Sequence, residues 1–167
     1  TKRANTLFIN HGVDGAGIPA FKDEAKQYGV ADTGYSQNAA FFDYDKDGDL
    51  DLYVLTNLES DKIPSNYRPR IVDGSALNND RLYRNNDNGT FTDVTLEAGI
   101  LMEGYGLGLG IADINEDGWP DIYIGNDYVS NDVLYINNQD GTFTNEIRDR
   151  LKHQSLFSMG IDIADVN

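Results

Sequence analysis

The stretch DYDKDGDLD, residues 43–51, places five aspartates in nine positions, and seventy residues later DINEDGWPD, residues 113–121, repeats its skeleton. Like charges this close repel one another, so a chain that repeats the arrangement needs something that draws them together. The surrounding sequence repeats with the loops. Phe21, Phe91 and Phe143 each stand 22 residues before Asp43, Asp113 and Asp165. After the loops come DLYVLTN (51–57) and DIYIGND (121–127), then DRLYRNNDNGTFTDV (80–94) and DVLYINNQDGTFTNE (132–146), with 52 residues from Leu82 to Leu134. A worn copy, NTLFINHGVDGAGIPAFKDEA (5–25), precedes them with a longer turn. A period of this size means an array of similar units that bury their faces against one another.

Each unit reads as four short strands joined by tight turns. GLGLGIAD (106–113) alternates Gly or Ala with Leu or Ile, which gives a strand one bulky face and one bare face where backbones crowd. DIYIG and VLYIN are β-branched and aromatic, and NNDNGTF and NNQDGTF carry the Asn/Asp-Gly signal of a hairpin. The fold expected is all-β, built from propeller blades of four antiparallel strands. The chain divides into 1–33, the end of one blade, complete blades at 34–103 and 104–153, and 154–167, the start of another. EAKQYG (24–29) and EIRDRLKH (146–153) are expected as single helical turns in connections. The chain lacks an initiator Met and stops within its third loop, so it reads as a piece of a longer protein.

The charge balance narrows function. With 28 acidic side chains against 13 basic ones the formal net charge is −15, the wrong sign for nucleic acid or an anionic membrane surface. There is no cysteine, hence no disulfide and no thiolate metal site, and no apolar run approaches a membrane span.

Oxygen-rich loops suit a hard dication. Ca²⁺ takes six to eight oxygens, and alternate side chains of a tight loop converge on one point. Positions one, three, five and nine are Asp43, Asp45, Asp47 and Asp51 in the first loop, and Asp113, Asn115, Asp117 and Asp121 in the second. Gly48 and Gly118 supply the sharp turn at position six. The backbone carbonyl at position seven, from Asp49 or Trp119, adds a further oxygen. Solvated Asp-rich turns are the plainer alternative, and two copies in the same strand context argue against it. An EF-hand would need an acid at position twelve and flanking helices, whereas Val54 and Ile124 stand there.

The loop pattern between strands, followed by LYRNN and GTFTDV, resembles the FG-GAP/VCBS repeat of calcium-binding β-propellers, as in integrin α subunits. It looks most like the ASPIC/UnbV and cartilage acidic protein type. The resemblance implies a seven-bladed propeller with Ca²⁺ as the cofactor, held mainly for structure in the loop between a blade's first two strands. The Phe-Gly and Gly-Ala-Pro signature of the integrin repeats is missing, and the third loop keeps only Asp165 and Asn167, so two bound ions are expected.

His11 and His153 read as surface residues in loops, Tyr53 and Tyr123 as packing between blades, and Trp119 as packing against the next blade, with an exposed ligand contact as its alternative. The segment 58–79 is 18 residues longer than its counterpart and carries Lys62, Tyr67, Arg68 and Arg70; a binding loop and mere decoration are both open readings. No Ser/His/Asp set, HExxH helix or phosphate loop is present, and no catalytic residue is assigned. The expectation is an extracellular, periplasmic or cell-surface module that recognises a protein or carbohydrate ligand, without nucleic acid and without membrane insertion. A propeller lyase or glycoside hydrolase with a carboxylate pair in its channel is the alternative.

Overall fold

The computed structural model describes residues 4–58, 69–127 and 131–164. Among these residues ten strands and two short helical turns follow one another: β1 (Phe8–Val13), β2 (Pro19–Asp23), α1 (Ala25–Tyr28), β3 (Ser36–Phe42), β4 (Asp51–Thr56), β5 (Arg81–Asn85), β6 (Phe91–Asp93), β7 (Gly106–Ala112), β8 (Asp121–Asn126), β9 (Val133–Asn137), β10 (Phe143–Asn145) and α2 (Ile147–Arg150). They form a β1–β2 hairpin and two four-stranded meanders, β3-β4-β5-β6 and β7-β8-β9-β10. All pairings are antiparallel. The two meanders match in detail. Each first strand carries a bulge near its start, between Ser36 and Asn38 or between Gly106 and Gly108, and each ends paired with the aspartate that closes the loop, Phe42 with Asp51 and Ala112 with Asp121.

Burial explains why β4 shows no polar alternation: all six of its residues are buried. Its odd and even positions face different layers. Tyr53 and Leu55 join a core with Leu82, Ile100, Ile122, Ile124, Tyr135 and Phe143, drawn from both meanders. Leu52 and Val54 face the other way, onto Ala25, Val30 and Tyr83. A third layer, Leu134, Ile136 and Ile147, covers the far side of the second meander. A sheet sandwiched on both faces by its neighbours is the packing a stack of blades requires.

The bare face of β7 is where backbones approach. A Cβ on Gly106 would fall 2.3 Å from Leu55 of the preceding blade. Beyond β7, residues 158–164 run without strand pairing; Ser158 donates its N–H to the Asn126 carbonyl at 3.0 Å. Ile161 and Ile163 fill the space beside Gly108 and Gly110. His11 lies in β1 rather than in a loop, and Asp165 and Asn167, with the third loop they open, lie outside the described residues.

Candidate metal centres

Each acidic loop joins the first two strands of a meander and is wound by the same local devices. Position four takes a left-handed backbone in both, Lys46 at φ 58° and Glu116 at φ 61°, and the glycines at position six follow at 98° and 88°. Backbone N–H groups then point inward at the loop's own carboxylates. Gly48 donates to Asp43 Oδ2 at 3.2 Å, and Gly118 to Asp113 Oδ2 at 2.7 Å. Asp49 donates to Asp47 Oδ1 at 3.1 Å, and Trp119 to Asp117 Oδ1 at 2.8 Å.

Position nine differs from the rest. Asp51 and Asp121 are fully buried, and both oxygens of each are engaged. Asp51 accepts the Tyr44 N–H at 3.1 Å and the Asn85 N–H at 2.8 Å; Asp121 accepts those of Ile114 and Asn137, both at 2.9 Å. This carboxylate therefore pins the loop to the end of the third strand. Burial pushes Asp51 up to about 6 even though the two N–H groups oppose that shift, and burial likewise raises Asp121. A carboxylate offers about four lone-pair positions, so two accepted bonds leave room for a cation.

The first loop brings Asp43, Asp45 and Asp51 together, with one oxygen from each within 4.8 Å of the others. Oxygens around one Ca²⁺ at ~2.3–2.6 Å are separated by at most about twice that distance, so the three fit one ion. Two observations point the same way. Asp43 Oδ1 and Asp49 Oδ1 are buried without a hydrogen-bond partner. Burial and then the charge of Asp47 raise both Asp45 and Asp49, although the Arg84 guanidinium partly offsets the rise at Asp45. Asp47 stands outside the converging three. Asp49, expected to contribute through its carbonyl, also turns a carboxylate oxygen into the protein.

The second loop has the same path and a different charge distribution. Asn115 replaces the third-position acid, and its Nδ2 donates to Asp117 Oδ2 at 2.8 Å. Gln139, from the β9–β10 turn, donates to the same oxygen at 3.0 Å. Asp117 is held below the ordinary carboxylate range by the Trp119 N–H first, then by the Asn115 and Gln139 amides and the charge of Lys46. Trp119 meets the preceding blade, with the Lys46 ammonium 4.8 Å from the centre of its ring.

A second pair of aspartates escaped the sequence reading. Asp80 and Asp132 stand immediately before β5 and β9, at the opposite end of each blade from the acidic loop. Asp80 accepts the Tyr53 hydroxyl at 2.8 Å and the Thr56 N–H at 2.8 Å; Asp132 accepts the Tyr123 hydroxyl and the Asn126 N–H, both at 2.9 Å. The hydroxyls of Tyr53 and Tyr123 are thus anchored within their own blades. The signal was the Asp that opens both DRLYRNN and DVLYINN.

Lys62, Tyr67 and Arg68 of the long insertion lie outside the described residues. Arg70 lies on the seam between blades, donating to the Glu103 carbonyl and, at 3.2 Å, to that of Asn131. A groove of about 480 Å³ beside β3 is lined by Leu7, Val30, Phe41, Leu52 and Val54 among others, and among the described residues by no ionisable side chain. His11 Nε2 lies 3.2 Å from Glu24 Oε1, a contact that Lys22 shares at 3.0 Å.

Consecutive four-stranded meanders, each with an acidic loop between its first two strands, define a repeat protein of β-propeller type. The FG-GAP-like repeat matches residues 71–124 and again 113–167, more than half of the chain, which therefore belongs to that family. No curated protein matches it. No helix among the described residues is long and apolar enough to cross a membrane.

Proposed function

We propose that the chain is a calcium-binding segment of an extracellular, periplasmic or cell-surface β-propeller, seven-bladed and of the ASPIC/UnbV and cartilage acidic protein type, that presents a rigid surface to a protein or carbohydrate ligand. The convergence of Asp43, Asp45 and Asp51 around unpartnered buried oxygens carries this reading. These three, with Asp47 and the Asp49 carbonyl, would hold the first ion; Asp113, Asn115, Asp117, Asp121 and the Trp119 carbonyl would hold a second. When bound, the ion supplies the positive charge that cancels repulsion within the loop. The protein's own residues fix the geometry, since Asp51 and Asp121 tie each loop to the third strand whatever else they hold. The role of the ion is thus structural, bracing a strand connection. Millimolar calcium, found outside the cytosol, suits loops of modest affinity.

Thermal unfolding tests the reading. Binding to the folded state alone stabilises by about 2.7 kcal/mol at a hundredfold excess of ligand over Kd. Millimolar Ca²⁺ added after chelation is expected to raise Tm clearly, and Mg²⁺ to raise it less. Superimposable melting curves with calcium and with chelator would sink the proposal. A glycan array probed with and without chelator then tests the ligand class.

A further inference from the structure

The second acidic loop receives a charge from outside itself. Lys46, at position four of the first loop, sends its ammonium across the seam between blades, and Nζ lies 4.8 Å from the centre of the Trp119 ring. It also lies 3.6 Å from where a Cβ on Gly118 would stand. Trp119 and Gly118 are the residues that follow Asp117, so the ammonium sits at the rim of the second loop. The donors wrapped around Asp117 complete the arrangement, with Trp119 N–H on one oxygen and the Asn115 and Gln139 amides on the other. In the first blade the corresponding Asp47 accepts the Asp49 N–H, and the hairpin position of Gln139 is taken by Asp87. Asp87 has the same left-handed backbone as Gln139, φ 53° against 65°, so the two side chains leave equivalent turns with opposite electrostatic effect. The first loop faces Asp87 together with the Arg84 guanidinium of its own blade, and the second faces amide donors and an ammonium from the neighbouring blade.

We propose that Lys46 is a built-in counter-ion of the second loop, supplied by the preceding blade, and that a divalent cation enters that loop in competition with it. Gln139 assists by keeping Asp117 turned toward the protein's own donors. The inference rests on the calcium reading above and adds a residue outside the second loop that sets its affinity. An ammonium is a compact, mobile point charge, so it lowers affinity for the ion without closing the loop. Exposed charge pairs contribute up to about 1 kcal/mol, or roughly two- to fivefold in binding.

The test uses an Asp43→Ala background, in which uptake reports the second loop, followed by calorimetry and by emission of Trp119, the sole tryptophan. Adding Lys46→Met is expected to tighten Ca²⁺ binding about two- to fivefold, whereas Lys46→Arg, which keeps the charge, leaves it unchanged. Lys46→Met is also expected to shift Trp119 emission in the calcium-free protein. Equal affinity with and without Lys46→Met, or no uptake by the second loop in either variant, would overturn the inference. Should Asp43→Ala not fold, the same Lys46 variants in the intact chain, read through Trp119 emission, decide it. Absence of any uptake by the chain with both loops intact would instead overturn the calcium reading, so the two failures are distinct.

Discussion

The side-chain amide of Asn137 donates a 2.8 Å hydrogen bond to the carbonyl of Tyr44, joining residues 93 apart in sequence and on different blades. Tyr44 at the same time gives its N–H to Asp51, and Asn137 gives its backbone N–H to Asp121. The two position-nine carboxylates are thus linked through the backbone of one tyrosine and one asparagine.

Removing that link should be felt at a distance. Asn137→Ala leaves the Tyr44 carbonyl, in a buried setting, without this donor, a change that costs about 1–3 kcal/mol. Chemical denaturation should show a loss of that size. Calcium affinity of the first loop should fall although no first-loop residue has changed. Unaltered stability would mean that water replaces the amide at no cost.

Charge count ranks the two loops. The first offers carboxylates at positions one, three, five and nine, and the second offers three because Asn115 is neutral. More negative charge tightens calcium loops. Calorimetry on Asp45→Ala should show the tighter site lost, and on Asp117→Ala the tighter site retained. The reverse pattern would contradict the ranking.

Asp80 gives a pH signature separate from the acidic loops. Burial raises its carboxyl to about 6, against the opposing Thr56 and Tyr53 hydrogen bonds. A folded-state value above the unfolded one, ~3.9, means that the folded protein binds the extra proton between the two. The stability linked to Asp80 is therefore complete below about pH 4 and lost as pH rises through about 6. Asp80→Asn mimics the protonated form. In chelator, its Tm profile from pH 4 to 7 should lack the decline that Asp80 contributes, and parallel profiles for variant and parent would contradict the assignment.

Gly106 tests the blade seam. A methyl group there would stand 2.3 Å from Leu55 Cδ1, and Leu55 is fully buried. Gly106→Ala should cost about 1–3 kcal/mol through overpacking. A Leu55→Ala change in the same chain should return part of that loss. Additive losses in the double variant would argue that the two residues do not compete for space.

Much of this was readable from residues alone because the repeat reads itself twice. The Gly-rich alternation at 106–112 gave β7 and its bare face, and the Asn-Gly and Asp-Gly turns gave both outer hairpins. EAKQYG and EIRDRLKH hold single helical turns, as expected. The Asp80 and Asp132 staples were hidden by length: Tyr53 meets Asp80 across 27 residues and Tyr123 meets Asp132 across 9, since only the first blade carries the long insertion. Spacing shows no kinship between those pairs, although geometry makes them equivalent. That Lys46 stands over the Trp119 ring was equally beyond reach, because it depends on how two blades sit side by side.

The staples also bear on how such a chain can grow. Asp51 to Asn85, Asp80 to Thr56, Asp121 to Asn137 and Asp132 to Asn126 each close within a single blade. A tandem duplication of the underlying gene segment therefore copies a unit complete in its internal fastenings and ready to fold beside its parent. The Asn137–Tyr44 bond is of another kind, since it needs the right residue on each of two neighbours. Drift can erode the fastenings of one blade without touching the next, but a change at either end of the seam constrains two copies at once. Divergence along the array should accordingly be slowest at the joints between blades.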